Sequence, residues 1–340
     1  MTNIETFNLA IQKIKDDGDN VNIILHYMPD PDSMATAFAL QEYLKSCQID
    51  NEMFYTGEIS HPQNKTMQIS LALSLTKIGD SSLQGKNICV DCTPKNSGID
   101  TAFMIIDHHS NSVKNCEYVI NEPKYGACST IMWEILNSLG IEWDLHEDIA
   151  TALLLGIRTD TKDLLSESMI AEDFKAYESL IHHMNKEKVQ RIMNYPVPRY
   201  VFEKRNLLKD KNNFMEKNGI FVGGVGYIPR SQRDVIAILA EDYLRMETVS
   251  TTVIFCITDN DTLEVSIRTI NTTVDVKDLM QNIFGDFGGG KIEKGGAKVP
   301  LNVWSNMVTD SLKNKFWEIT CEQLFRLILK EDYETENKGE

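Results

Sequence analysis

The sequence predicts an α/β protein in two parts, the first a parallel sheet with helices on both faces, the second a smaller α/β domain. Three observations predict it. Short apolar runs alternate with longer stretches of helical spacing, the pattern of strands joined by crossover helices. Several runs end directly in aspartate or histidine, as strands do where an α/β sheet offers its carboxyl edge to a ligand. Helical spacing then breaks at Tyr195-Pro196-Val197-Pro198, because proline lacks a backbone donor and restrains its predecessor, and the texture beyond it differs. We therefore divide the chain into a first domain over 1–185, a linker over 186–200, a second domain over 201–330 and a polar tail over 331–340. At 340 residues the chain has room for two cores.

Taken in order, residues 5 to 16 have helical spacing at Phe7, Leu9 or Ala10, and Ile14, and Asp16-Asp17-Gly18-Asp19 ends it. Val21 to Leu25 reads as a buried strand. The loop His26 to Asp32 follows, then a helix from Ser33 to Lys45 with Asp32 or Ser33 as its cap. Asn51 to Tyr55 is a second strand, Asn64 to Ile78 a helix, and Ile88 to Val90 and Phe103 to Ile106 are further strands. Tyr118 to Ile120 follows as a strand, with helices over Ala127 to Leu139, Leu145 to Leu155 and Ala171 to Met193. In the second domain Gly219 to Val225, Thr251 to Ile257 and Leu263 to Ile270 read as strands. Ser231 to Met246, Val274 to Ile283, Ser305 to Lys313 and Trp317 to Leu329 read as helices.

Composition narrows the function. Hydrophobic content of 42% and charged content of 25% are those of a globular protein. A formal net charge of -16 argues against a general grip on long nucleic acid, which needs many cations on phosphate. The first residues lack the basic start and apolar core of a secretory signal, and the run Ala150 to Ile157 is too short to span a bilayer. Seven scattered cysteines suit a reducing compartment, so we expect a cytoplasmic protein without membrane partners. Cys89 and Cys92 form a lone C-x-x-C and read as packing residues around Asp91.

The chemistry gathers where apolar runs end. His26, Asp30 and Asp32 follow the first strand, Asp91 ends the third, Asp107-His108-His109 ends the fourth, and Asp160 follows the run Leu153 to Ile157. If these ends meet, five carboxylates share one place with three imidazoles. They cannot all stay ionised without strong positive charge, which metal ions supply economically. Elsewhere, His182-His183 reads as a surface pair. His61, in a loop after the second strand, is placed where it could face a ligand.

Taken together, His26-x-x-x-Asp30-x-Asp32, Asp91, Asp107-His108-His109 and Gly156-Ile157-Arg158-Thr159-Asp160-Thr161 resemble the four ordered motifs of the DHH phosphoesterase family. The second domain is similar to the DHH-associated domain of oligoribonucleases and phosphoadenosine phosphate phosphatases, through Ser266-Ile267-Arg268-Thr269 and Gly288-Gly289-Gly290-Lys291 followed by Gly295-Gly296-Ala297. The resemblance covers roughly Val21 to Pro300. Pro31 stands where the family commonly has glycine, Lys291 where oligoribonucleases have histidine, and Lys294 and Gly295 replace alanines.

The resemblance implies two domains facing across a cleft and two manganese ions, with magnesium or cobalt as substitutes. One ion would be held by His26, Asp30 and Asp91, the other by Asp32, Asp91, His108 and Asp160, with Asp91 bridging. His109 would face substrate, Asp107 would orient a neighbouring imidazole, and Arg158 would meet phosphate or balance the acidic cluster. Substrate would be held by Arg268 and Ser266, by Gly289 and Gly290, where a bare backbone admits close approach, and by Lys291 and His61. The implied activity is hydrolysis of short oligoribonucleotides or linear dinucleotides to 5′-mononucleotides, with a phosphatase activity on phosphoadenosine phosphate, and the implied assembly is a homodimer. The alternatives are a phosphoanhydride hydrolase of pyrophosphatase type and a metal-nucleotide sensor without turnover.

Overall fold

The computed structural model describes residues 1–79, 83–110, 116–290, 293–302 and 307–329. The chain folds into two compact units, Met1–Pro196 and Val197–Glu340. Among the described residues no helix is long and apolar enough to cross a membrane.

The first unit runs α1 (Asn3–Asp17), β1 (Val21–Tyr27), α2 (Pro31–Ser46), β2 (Asn51–Thr56), α3 (Pro62–Ser70), β3 (Leu75–Lys77), β4 (Lys86–Val90), α4 (Pro94–Ser97), β5 (Met104–Asp107) and β6 (Tyr118–Asn121). It continues with α5 (Cys128–Ser138), α6 (Glu147–Asp160), α7 (Ala171–Ile181) and α8 (Lys186–Met193). Its six strands lie in the order β3-β2-β1-β4-β5-β6, and every pairing is parallel. Strand order therefore reverses between β1 and β4, and an open α/β sheet forms its ligand crevice at the carboxyl ends beside such a reversal.

Alternation along the strands divides the core. Val21, Ile23 and Leu25 of β1, Ile88 and Val90 of β4, and Met104 and Ile106 of β5 join the large cluster with α1, α2, α5 and α6. Ile24, Cys89 and Ile105 point to the other face, into a smaller cluster with Phe54, Cys92 and Ala102. Cys89 and Cys92 are buried free thiols, and Cys92 donates to the Ile24 carbonyl.

The second unit comprises α9 (Arg199–Leu207), β7 (Phe214–Lys217), β8 (Ile220–Ile228), α10 (Val235–Tyr243), β9 (Thr251–Thr258), β10 (Thr262–Thr269), α11 (Val276–Phe284), β11 (Gly288–Gly290), β12 (Lys294–Pro300) and α12 (Lys313–Leu329). Its strands follow the order β11-β12-β10-β9-β8-β7, antiparallel except for β8 with β9. One face packs on α11 and α12, the other on α9 and α10.

Several expected elements differ. The helix over Asn64 to Ile78 stops at Ser70, where Ala72 adopts a left-handed backbone, and the remainder is the edge strand β3. Helical spacing over Ala171 to Met193 is two helices, α8 starting afresh at Asn185, whose side chain accepts from the Lys188 amide. Most of the expected linker 186–200 is thus helical. Gly288 to Gly290, given no element from sequence, forms a short strand paired with β12. Of the helix expected over Ser305 to Lys313, residues 305 and 306 lie outside the described residues, as does the tail 331–340; Asp310–Leu312 is a single tight turn.

The helix expected over Leu145 to Leu155 is α6, which runs on to Asp160 as its last residue. Asp160 reaches the sheet edge because α6 packs closely on α2 and α5 at Gly156, where an added Cβ would meet Ser129 Oγ at 2.1 Å and Asp32 Oδ1 at 2.9 Å. Alanine usually stabilises a helix by about 1 kcal/mol over glycine. Here crowding reverses the sign, and Gly156→Ala is expected to lower the unfolding free energy by about 1–3 kcal/mol in urea titration.

Candidate metal centre

Asp30 caps α2, its Oδ1 accepting the amides of Asp32 and Ser33, both at 3.1 Å. Pro31 occupies the first helical turn, where its missing N–H would have no helical partner anyway. The same Asp30 oxygen lies 3.3 Å from His26 Nε2, which is 3.7 Å from Asp91 Oδ2. Asp91 follows the last residue of β4 and is 2% exposed; its left-handed backbone (φ 58°) turns the chain away at once.

One strand over, β5 ends in Asp107, which is fully buried. Its Oδ1 accepts the amides of His108 and His109 at 2.8 and 3.1 Å, and lies 2.8 Å from His109 Nδ1. Asp107 thus fixes the turn and the His109 ring together. Burial opposes its charge, but the His109 contacts prevail and hold its carboxyl below the usual range. His108 points the other way. Its Nε2 lies 3.3 Å from Asp91 Oδ1, 3.3 Å from Asp160 Oδ2 and 3.9 Å from Asp32 Oδ2. Both oxygens of fully buried Asp32 also accept the first amides of α5, Cys128 N at 2.7 Å and Ser129 N at 2.8 Å. The second lone pair on each oxygen remains available to a cation.

Three groups of donor atoms result: His26, Asp30 and Asp91; Asp32, His108 and Asp160; and Asp91, His108 and His109, each with its atoms within 4.8 Å of one another. The tautomers show that a cation fits. His108 Nδ1 lies 3.0 Å from the Tyr125 carbonyl and His26 Nδ1 2.9 Å from the Tyr27 carbonyl. A carbonyl only accepts, so each Nδ1 carries the proton. In the neutral ring Nε2 then aims a lone pair at carboxylate oxygens, an arrangement repulsive unless a cation or proton lies between. His108 Nε2 and Asp91 Oδ1 are buried without a hydrogen-bond partner. Among the described residues no lysine or arginine pairs with Asp32, Asp91, Asp107 or Asp160.

Protons are what the cluster holds when metal is lacking. Burial opposes charge on His26 and His108, but Asp30 and Asp91 push His26 up to about 10, and Asp160 and Asp91 push His108 up to about 12. Burial, reinforced by Asp91 and Asp160, pushes Asp32 well up, and burial pushes Asp91 up. The donor set, imidazole and carboxylate with no thiolate, suits manganese or another cation that accepts oxygen and nitrogen.

The other expected site residues are not members of these donor groups. His61 caps α3, its Nδ1 accepting the Gln63 amide at 3.3 Å, with its ring against Tyr195. The Arg158 guanidinium pairs with Asp163 in the loop after α6. In the second unit, Arg268 binds Glu241 at 3.1 Å and Ser266 Oγ at 3.2 Å. Ser266, Arg268, Phe287, Gly296 and Lys298 line a pocket of about 410 Å³. An added Cβ at Gly289 would meet nothing, whereas at Gly290 it would strike the Lys294 carbonyl at 2.8 Å, so Gly290 is a packing glycine. Lys291 lies outside the described residues. His183 pairs with Asp144 at 2.8 Å. Sequence reasoning missed the Tyr125 carbonyl and the Cys128 and Ser129 amides, since backbone groups leave no signature in residue type.

Because His26 and His108 are pushed up to about 10 and about 12, a cation near neutrality must displace their protons. Manganese uptake is expected to release protons and to tighten as pH rises toward about 10, where His26 loses its proton. Calorimetry in buffers of different ionisation enthalpy measures both, and affinity independent of pH would contradict the assignment.

The DHH family, N-terminal domain, matches residues 20–157. An uncharacterized protein of Methanocaldococcus jannaschii is 30% identical over 314 residues, 87% of this chain, and the chain spans 63% of that relative's length. The crystal structure of an exopolyphosphatase-related protein from Bacteroides fragilis superposes with a TM-score of 0.65 at 15% identity, covering 97% of this chain and 98% of the other, a likeness of fold. Residues 20–157, which carry every member of the three donor groups except Asp160, match the N-terminal domain of the DHH family.

Proposed function

We propose that the protein is a manganese-dependent phosphodiesterase that hydrolyses short oligoribonucleotides or linear dinucleotides to 5′-mononucleotides. The observation that carries this reading is the sharing of Asp91 and His108 among three adjoining donor groups at the sheet's reversal of strand order. His26, Asp30 and Asp91 would hold one ion, and Asp32, Asp91, His108 and Asp160 the other. When bound, such a pair neutralises the carboxylates, polarises a phosphate ester and activates the attacking water.

The chain's own residues would supply position and proton control. Asp107 fixes His109 through Nδ1, and His109 would contact the ester. Arg158, in the turn before Asp160, would balance charge from its pairing with Asp163. In the second unit, the pocket lined by Arg268 and Ser266 would take a terminal phosphate, a role suited to a planar guanidinium, and the open side of Gly289 would admit close approach of substrate. Phosphoadenosine phosphate is a second candidate substrate.

Purified protein with manganese is to be incubated with 5′-phosphorylated dinucleotides, phosphoadenosine phosphate, cyclic dinucleotides and pyrophosphate. We expect mononucleotide product from the linear dinucleotides, abolished by chelator. Product from pyrophosphate alone would favour phosphoanhydride hydrolysis; binding without product would favour a sensor. Asp91→Asn, which tolerates the left-handed backbone, is expected to fold and to lose turnover on the order of 10³-fold or more. Arg268→Ala is expected chiefly to raise KM for substrates with a terminal phosphate, measured against otherwise identical dephosphorylated ones.

A further inference from the structure

Outside the donor groups, Asp173 is a carboxylate with no exposure at the start of α7. Its Oδ2 accepts the Gly126 amide at 3.0 Å and the Ile170 amide at 2.9 Å, and its Oδ1 accepts the Thr130 hydroxyl at 2.5 Å. The first contact bears on the metal centre. The Gly126 N–H and the Tyr125 C=O belong to one peptide group, and that carbonyl lies 3.0 Å from His108 Nδ1. A carboxylate, one peptide and an imidazole therefore stand in line, ending at the Nε2 that faces Asp91 and Asp160. Negative charge at the N–H end polarises the peptide and strengthens its carbonyl as an acceptor, and hydrogen bonds in such chains reinforce one another. A histidine ligand held through its second nitrogen by an acceptor of this kind is oriented, fixed in one tautomer and made a better donor.

The segment that Asp173 ties down also serves Asp32. Thr130 lies in the first turn of α5, whose Cys128 and Ser129 amides hold the two Asp32 oxygens. Close packing at Gly126, where an added Cβ would lie 2.7 Å from both Asp173 Oδ2 and Thr161 Cγ2, leaves this segment little room to shift.

We propose that Asp173 is a positioning residue for one half of the metal centre, acting on His108 through the Tyr125–Gly126 peptide and on Asp32 through the first turn of α5. It touches neither metal ligand directly. The inference rests on the two-cation reading, and it predicts an asymmetry: the site of Asp32, His108 and Asp160 depends on Asp173, while that of His26, Asp30 and Asp91 does not.

The test uses the full chain and two readouts. In metal-free unmodified protein, nuclear magnetic resonance should find the His108 Nδ1 proton and the Gly126 amide proton downfield and slow to exchange; either one at an ordinary, fast-exchanging position overturns the coupling without any variant. Asp173→Asn keeps the shape and removes the charge, and should move the His108 proton upfield. In calorimetric titration with manganese, it should weaken one of two sites on the order of 10–100-fold and leave the other unchanged. Thr130→Val, which keeps the Gly126 contact, should leave the His108 proton in place. An unmoved His108 proton in Asp173→Asn, unchanged manganese affinity, or equal weakening of both sites would each overturn the proposal. Unmodified protein that takes up no manganese would instead remove the metal reading, and the proton shifts would still decide the peptide coupling on their own.

Discussion

Negative charge crowded at one sheet edge is the constraint on which the rest of this structure depends. Asp32 and Asp107 have no exposure and Asp91 has 2%, and His108 directs Nε2 toward three carboxylates. Buried charge of one sign is strongly unfavourable unless opposite charge enters or protons bind. Here the imidazoles are the local counter-charge, and their Nδ1 contacts with backbone carbonyls leave Nε2 as the group that must accept a cation or a proton. The fold creates a need that bound cations would meet.

Much of the surrounding structure keeps that crowding in place. The parallel order with its reversal between β1 and β4 brings the ends of β1, β4 and β5 together. Asp30 caps α2, the helix that carries Asp32, so one short segment supplies two carboxylates and starts a helix. The amino end of α5 meets Asp32 with two amides, a favourable place for negative charge because of the helix dipole. Gly156 lets α6 come close enough for its last residue to reach the edge. Stability and site geometry are consequently coupled, since the groups that hold Asp32 also end helices.

The fold class and the gathering of ligand types were legible because both rest on side-chain pattern. Apolar runs that end in His26, Asp91 and Asp107 mark strand ends, and the spacing His26-x-x-x-Asp30-x-Asp32 follows a loop into a helix. Asp160 was harder to place, because the helix expected over Leu145 to Leu155 stopped short of it, helix ends being set by capping contacts more than by apolar spacing. The strands β11 and β12 were illegible because glycine carries no alternating pattern, and their pairing depends on close backbone approach at Gly290 and Gly295. Asp173 gave no signal either. Its place follows from the Gly126 amide and the Thr130 hydroxyl, contacts 47 and 43 residues away in the chain.

The central claim is that these side chains hold two cations sharing Asp91. Anomalous X-ray scattering at the manganese edge from crystals grown with the metal tests it most directly. The account predicts two peaks about 3.5–4 Å apart, one beside His26 and Asp30, the other beside His108 and Asp160, with Asp91 between them. A single peak elsewhere, or none at saturating manganese, would contradict it.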